Sequence, residues 1–401
     1  MKKNIENSKT SILLLIVLVA FPQISETIFS PSLPSISKMF KTSMSNAQLT
    51  MSVYFISFAI GVFFFGRISD RIGRRKAMLY GLLLYFIGNI FCLLSSNIEL
   101  LLLARFVQAF GASVGSVITQ TILRENYTGV ERHKLFAKIS AALAFTPAIG
   151  PLIGGSADYY FGVRIVFLIL VLMSIFIFIY AFICLSESNQ MKLDSAPLLP
   201  ILRRFMKNRR VWKYGILVGG INGIIFSYYS EAPFIFTQYF KLTSAMYGFL
   251  GIVVALASIA GAYLSKQLLD ILVAEKIILL GLIIMIFGCF LVFVVNFLPE
   301  FLQLLMMIVS VFIVLFGMGI SLPNSLSLAL VDFQDVIGTA SAIFSLGYYL
   351  FVSIIIYGMS VFHNGTIWAM PIYFLIIGVI MFLSSYTLVD HTSKHKKSSY
   401  I

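Results

Sequence analysis

The sequence predicts an all-α membrane protein with twelve transmembrane helices in two six-helix pseudo-repeats. Three observations carry that expectation. Of the 401 residues, 59% are hydrophobic and only 11% charged, whereas a soluble domain carries about 25% charged residues. Apolar runs of eighteen or more residues recur along the whole length, each long enough to cross hydrocarbon as a helix. The basic residues, finally, sort by side. Of the 29 Lys and Arg, only Lys38, Lys41, Arg164 and Lys241 fall on one side and only Arg105 falls within a span. That asymmetry predicts both termini in the cytoplasm. It also accounts for the net charge of +13 as topology and attraction to lipid headgroups, with no nucleic acid required.

The spans are expected at 11–34, 46–65, 77–96, 100–123, 139–157, 165–186, 214–237, 245–265, 277–297, 301–330, 337–360 and 367–388. Short connections make most neighbours antiparallel. The long interruption Glu187–Lys213 carries Pro197, Pro200 and the cluster Arg203, Arg204, Lys207, Arg209 and Arg210. It divides the chain into an amino-terminal bundle (1–186), a basic cytoplasmic linker (187–213) and a carboxy-terminal bundle (214–401).

The first span follows Lys2, Lys3 and Lys9, as a secretion signal would. It holds Glu26 and several prolines and lacks a small-residue cleavage site, so it is expected to be retained. A carboxylate near the bilayer centre costs a few kcal/mol. Glu26 must therefore face a cavity, a partner or a proton. Pro31 and Pro34 weaken the helix just beyond it.

Between spans two and three, Gly66–Lys76 reads G-R-I-S-D-R-I-G-R-R-K. A block so charged cannot lie in hydrocarbon, and a tight hydrophilic turn is expected there. In span four, Arg105 needs an anion or a set of carbonyls. Glu26 is the economical partner, and snorkelling from the helix end is the alternative. Gln108 lies one turn along the same face. Span five contains Pro147 and the run Gly150–Gly155; each interior Pro costs roughly 3 kcal/mol, and Gly150 and Gly154 permit close backbone approach to a neighbour.

Span seven holds the second intramembrane acid, Glu231, beside Pro233. Ser25–Glu26 recurs as Ser230–Glu231 and Gly111 as Gly317 at a near-constant offset, which suggests a parallel repeat. His133, His363, His391 and His395 all fall in loops, tails or span ends, so any proton relay is expected to rest on carboxylates. Cys92, Cys184 and Cys289 read as apolar fillers. Among many aromatics, Tyr54, Phe58, Phe110, Phe145, Tyr228 and Tyr229 are candidates to line a cavity for flat, apolar or cationic ligands.

These motifs carry a resemblance. Gly66–Lys76 resembles the loop signature of the major facilitator superfamily, G-x-L-A-D-R-x-G-R-R/K-x, with Ile68 for its Leu and Ser69 for its Ala. Arg105, Gln108 and Gly111 resemble the span-four signature R-x-x-Q-G-x-G, with Ala109 replacing its first Gly. Gly150, Pro151, Gly154 and Gly155 resemble the span-five signature associated with antiporters. Pro31–Pro34, Ser230–Phe234, Gly319–Asn324 and Gly338–Ala342 look like the bicyclomycin-resistance branch of drug/proton antiporters. That branch usually carries an Asp four residues before the first Pro of span one; here Glu26 stands five before Pro31.

The resemblance implies the major facilitator fold and a monomeric, proton-coupled exporter of small amphipathic compounds across the bacterial inner membrane. It implies alternating access, with no cofactor, no metal and no enzymatic activity. Protons and substrate would meet near Glu26, Tyr54, Arg105, Gln108 and Glu231. Gly66, Asp70, Arg71, Gly73, Arg74 and Arg75 would form a cytoplasmic gate motif. Asp70 would sit against the amino end of span eleven, where an anion is attracted, and Arg71 and Arg74 would pair with acids such as Glu125 or Asp335. The rival on the same fold is a transporter of one metabolite or siderophore. A membrane enzyme or sensor is disfavoured, since the sequence shows no His/Cys/Asp cluster, nucleotide loop or soluble catalytic domain.

Overall fold

The computed structural model describes residues 11–127, 135, 138–139, 142–188 and 198–398. Lys2, Lys3, Lys9, Arg132, His133, Lys134 and Pro197 lie outside the described residues. The regular structure among the described residues is entirely helical. Contacts cluster into two units, Met1–Ala196 with Thr243–Gly248, and Pro197–Leu242 with Phe249–Ile401.

The first unit contains α1 (Ile12–Thr27), α2 (Leu33–Met39), α3 (Met44–Ile72), α4 (Arg74–Leu94), α5 (Ile98–Asn126), α6 (Thr146–Phe161) and α7 (Val163–Cys184). Pro31 and Pro34 act where the sequence places them: α1 stops, one tight turn follows at Ser30–Ser32, and α2 begins. The Ser43 hydroxyl accepts the Asn46 N–H and starts α3; the Asn97 side chain accepts the Leu100 N–H and starts α5. Both satisfy donors that a helix start leaves open.

The tight turn expected at Gly66–Lys76 is made, and it is shorter than the charged block. Helix α3 runs on to Ile72, the chain turns on Gly73 alone, and α4 begins at Arg74. Gly73 has φ +95°, a conformation only glycine adopts without strain, so the charged block is two helix ends.

The second unit contains α8 (Leu198–Lys207), α9 (Arg209–Phe234), α10 (Ser244–Leu268, whose first residues cluster with the first unit), α11 (Ala274–Val294), α12 (Glu300–Leu328), α13 (Ile337–Phe362) and α14 (Ala369–Ser398). Among the described residues, ten helical stretches are long and apolar enough to cross a membrane. The two remaining expected spans coincide with α6, which has 16 residues, and with α9, which carries Arg209, Arg210, Lys213 and Glu231.

The suspected repeat recurs in packing. In the first unit, a side chain on Gly111 would collide with backbone at Gly81 and Tyr85. In the second, one on Gly317 would collide with backbone at Gly281 and Met285. The same small-residue seam thus holds α4 to α5 and α11 to α12, where close approach of backbones replaces hydrophobic driving force.

The linker holds a helix. Ile201 and Phe205 of α8 are buried, and Phe205 packs on Phe333 at 5.8 Å. Arg204 pairs with Asp335 at 2.7 Å, and Asn208 donates to Asp332 at 2.9 Å. Asp335, a candidate partner for Arg71 or Arg74, is thereby taken up within the second unit by the linker.

Candidate functional site

Helices α1, α3 and α5 bring Glu26, Tyr54 and Arg105 into one buried site of the first unit. Arg105 is 0% exposed, which excludes snorkelling. Its guanidinium lies over the rings of Phe29 and Tyr54, 4.4 Å from each centroid. Its Nη1 donates to Gln108 Oε1 at 2.5 Å, and Gln108 Nε2 donates in turn to Asn89 Oδ1. The Tyr54 hydroxyl donates to the Pro22 carbonyl at 3.3 Å.

The expected ion pair between Arg105 and Glu26 is not made. The two charges lie within electrostatic range of each other. Among the described residues, however, Glu26 Oε1 and the Nε and Nη2 of Arg105 have no hydrogen-bond partner. Two aromatic faces and an amide hold the cation instead. A buried polar atom without a partner costs about 1–3 kcal/mol. Chemically, an open carboxylate oxygen can accept a proton or a donor, and open guanidinium N–H groups can donate to water or to a polar ligand. Phe29 and Asn89 escaped the sequence reading. Asn89 had a signal, as a lone amide within an apolar run; Phe29 had none among 38 phenylalanines.

Glu231 lies in the second unit and is 0% exposed. His363, just past the end of α13, places Nδ1 2.8 Å from both of its carboxylate oxygens. His363 thus sits at a span end, as expected, and yet reaches an acid within a span. Tyr228 borders a small cavity with Ile224, Val314, Met370 and Phe374, whereas Phe145 is exposed.

The span-five glycines form a packing seam. Gly150 meets Thr27, Gly154 meets the Ile28 carbonyl, and Gly155 meets the Ser244 carbonyl. Pro151 stands within α6, but Pro147 occupies its first turn, where no hydrogen bond is lost. Pro147, expected inside span five, thus lies at a helix start. At the far end of α6, buried Asp158 accepts from Ser35 and Ser244, each at 2.8 Å.

The gate motif is organised by Arg74, whose side chain is buried. It pairs with Asp70 at 2.6 Å and Glu125 at 2.8 Å. Glu187 accepts the backbone N–H of Arg74 at 2.8 Å and of Arg75 at 3.2 Å, an anion on the positive end of α4. Arg75 donates to the Phe182 carbonyl at 2.8 Å. Gly66 packs against Val117, and Arg71 is exposed.

Long apolar helices and a repeated small-residue seam are those of an integral membrane protein. The chain belongs to the Major Facilitator Superfamily, whose family model matches residues 15–356. It is 34% identical to an "Uncharacterized transporter" of Rickettsia felis, over 96% of this chain and 97% of that one. It is 27% identical to a "Chloramphenicol resistance protein" of Pseudomonas aeruginosa, over 88% and 84% of the two chains. In fold it resembles a bacterial homologue of the human lysosomal transporter Spinster, in an inward-facing and unoccupied conformation. That likeness has TM-score 0.76 and 16% identity, over 94% of this chain and 97% of that one.

Proposed function

We propose that this chain is a proton-coupled antiporter that exports small amphipathic compounds by alternating access, within the bicyclomycin-resistance branch of the superfamily. The observation that carries the reading is the buried site at Glu26, where a carboxylate oxygen and two guanidinium nitrogens stand without partners beside the rings of Phe29 and Tyr54. A carboxylate in low dielectric exchanges its charge for a proton readily, and aromatic walls accept flat or amphipathic molecules. Substrate and proton compete for Glu26, so inward proton flow expels substrate. Relatives named for chloramphenicol resistance support the substrate class. The strong bias of basic residues supports a bacterial inner-membrane protein with cytoplasmic termini. It would act as a monomer of two six-helix bundles (1–186 and 214–401) joined by the linker 187–213.

The test is export of chloramphenicol from reconstituted vesicles under an imposed pH gradient. Wild-type protein is expected to move it against the proton flow, and Glu26→Gln to abolish the pH-driven component. Gradient-driven export that survives Glu26→Gln excludes Glu26 as the coupling group. Movement in the opposite direction, or of a single metabolite only, replaces export of drugs with the metabolite reading.

A further inference from the structure

The two intramembrane carboxylates occupy matching places in the sequence repeat, Glu26 after Ser25 and Glu231 after Ser230, yet the fold treats them differently. Glu26 keeps an oxygen without a partner. Glu231 is met by an imidazole, with His363 Nδ1 2.8 Å from both carboxylate oxygens. The side chains of the pair are 1% and 7% exposed for Glu231 and His363 respectively. The Phe234 ring lies 5.5 Å from the imidazole, while the next residues, Asn364, Gly365 and Thr366, are exposed. The pair is thus buried but lies one residue from water.

The chemistry of the pair follows from its geometry. A neutral imidazole donating Nδ1–H to a carboxylate makes a unit of charge −1. Uptake of one proton at Nε2 turns it into a carboxylate–imidazolium pair of net charge zero, with no other bond made or broken. Histidine is the side chain that gains and loses a proton most readily among those that can pair with a carboxylate. On α9 itself, Tyr228 and Tyr229 are buried within one turn of Glu231, and other titratable groups among the described residues stand on its neighbours. On the elements packed against α9 at this end they are Glu300 at the start of α12, Tyr239 and Lys241 after α9, Tyr357 on α13 and Tyr373 on α14. Tyr239 is engaged with Gln303 and Tyr373 with the Ile355 carbonyl. Arg209, Arg210 and Lys213 stand at the opposite end of α9, and α8 lies with them.

We propose that Glu231 and His363 form a second proton-binding site, loaded through the turn Asn364–Thr366 and distinct from Glu26. It deepens the antiport reading and rests on it only for the direction of proton flow. Through it, transport responds to two separate proton-binding groups, one in each unit.

Two measurements on the full chain test the site. In protein with isotope-labelled histidine, reconstituted in lipid nanodiscs, the ring signal of His363 is identified by its loss in His363→Gln. That signal is expected to change with pH in the wild type and to follow a displaced titration curve in Glu231→Gln. In vesicles, with chloramphenicol as the probe, His363→Gln keeps the side-chain hydrogen bond but cannot titrate. It is expected to alter the ratio of export rates at about pH 6 and about pH 8 by roughly tenfold while export itself persists. A His363 signal that ignores pH, or ignores Glu231→Gln, overturns the proposal and leaves the pair a structural clamp. An unchanged pH profile in His363→Gln overturns it as well. If His363→Gln fails to fold, the signal is assigned by elimination in protein carrying His133→Gln, His391→Gln and His395→Gln, and the effect of Glu231→Gln on it still decides. Absence of pH-driven export in the wild type overturns the antiport reading and leaves the titration result standing.

Discussion

Arg105 is held by shape more than by charge. Two rings at 4.4 Å and the Gln108 amide surround a planar cation, and Lys cannot reproduce that fit. Cation–π contacts contribute about 0.5–2 kcal/mol each when desolvated. Arg105→Lys is therefore expected to reduce probe export by about tenfold or more at unchanged expression, measured in the same vesicles. Phe29→Leu removes one ring only and is expected to cost less. Equal loss in both variants would mean that the rings do not hold the guanidinium. Sequence reading found Glu26, Tyr54, Arg105 and Gln108 because polar groups in apolar runs stand out. It paired Arg105 with the nearest opposite charge because a sequence carries no record of which ring a helix turn brings alongside.

Helix α6 is a wedge with two faces. Gly150 and Gly154 press on α1, and Gly155 presses on the first turn of α10. Gly154→Val places methyl groups against the Ile28 carbonyl, where backbone must move. Overpacking of this kind costs about 1–3 kcal/mol, so a clear drop in melting temperature in detergent is expected. Asp158 fastens the same wedge at its far end by accepting two hydroxyls at 2.8 Å. Hydrogen bonds to a charged acceptor contribute about 1.5–3 kcal/mol each. Asp158→Asn keeps the volume and loses the charge, and it is expected to weaken the hold of Ser244 on α6. Faster hydrogen exchange of amides at 243–248 would report that; exchange unchanged from wild type would show that the carboxylate does not matter to the clasp. The glycine spacing was legible in advance because it is periodic. The two serines that meet Asp158 were not, since they come from 35 and 244.

At the scale of the molecule, each unit carries a cluster of paired charges on the expected cytoplasmic side. In the first, Arg74 gathers Asp70 and Glu125, and Glu187 caps α4. In the second, the linker arginine Arg204 holds Asp335. These clusters suit a latch that is kept or released in one of two conformations. Asp70→Asn takes an anion from the first cluster; it is expected to slow export while leaving equilibrium binding of the probe within about twofold. Binding lost along with export would assign Asp70 to the folding of the unit instead. Glu187→Ala removes the cap on α4 and is expected to cost about 1 kcal/mol of stability, read as a lower melting temperature.

The sequence by itself determined the helical class, the succession of long apolar helices and the places of the two buried acids. Lipid makes these one-dimensional properties: a span must be long, apolar and internally hydrogen-bonded wherever it packs. Only the tertiary structure decided the partners. Arg105 takes Phe29, Tyr54 and Gln108 in place of Glu26, His363 reaches Glu231 from outside a span, and Gly73 alone makes the turn expected within an eleven-residue charged stretch. Each of these joins residues by three-dimensional packing or by one backbone angle, and neither quantity leaves a trace in the order of hydrophobic and charged residues.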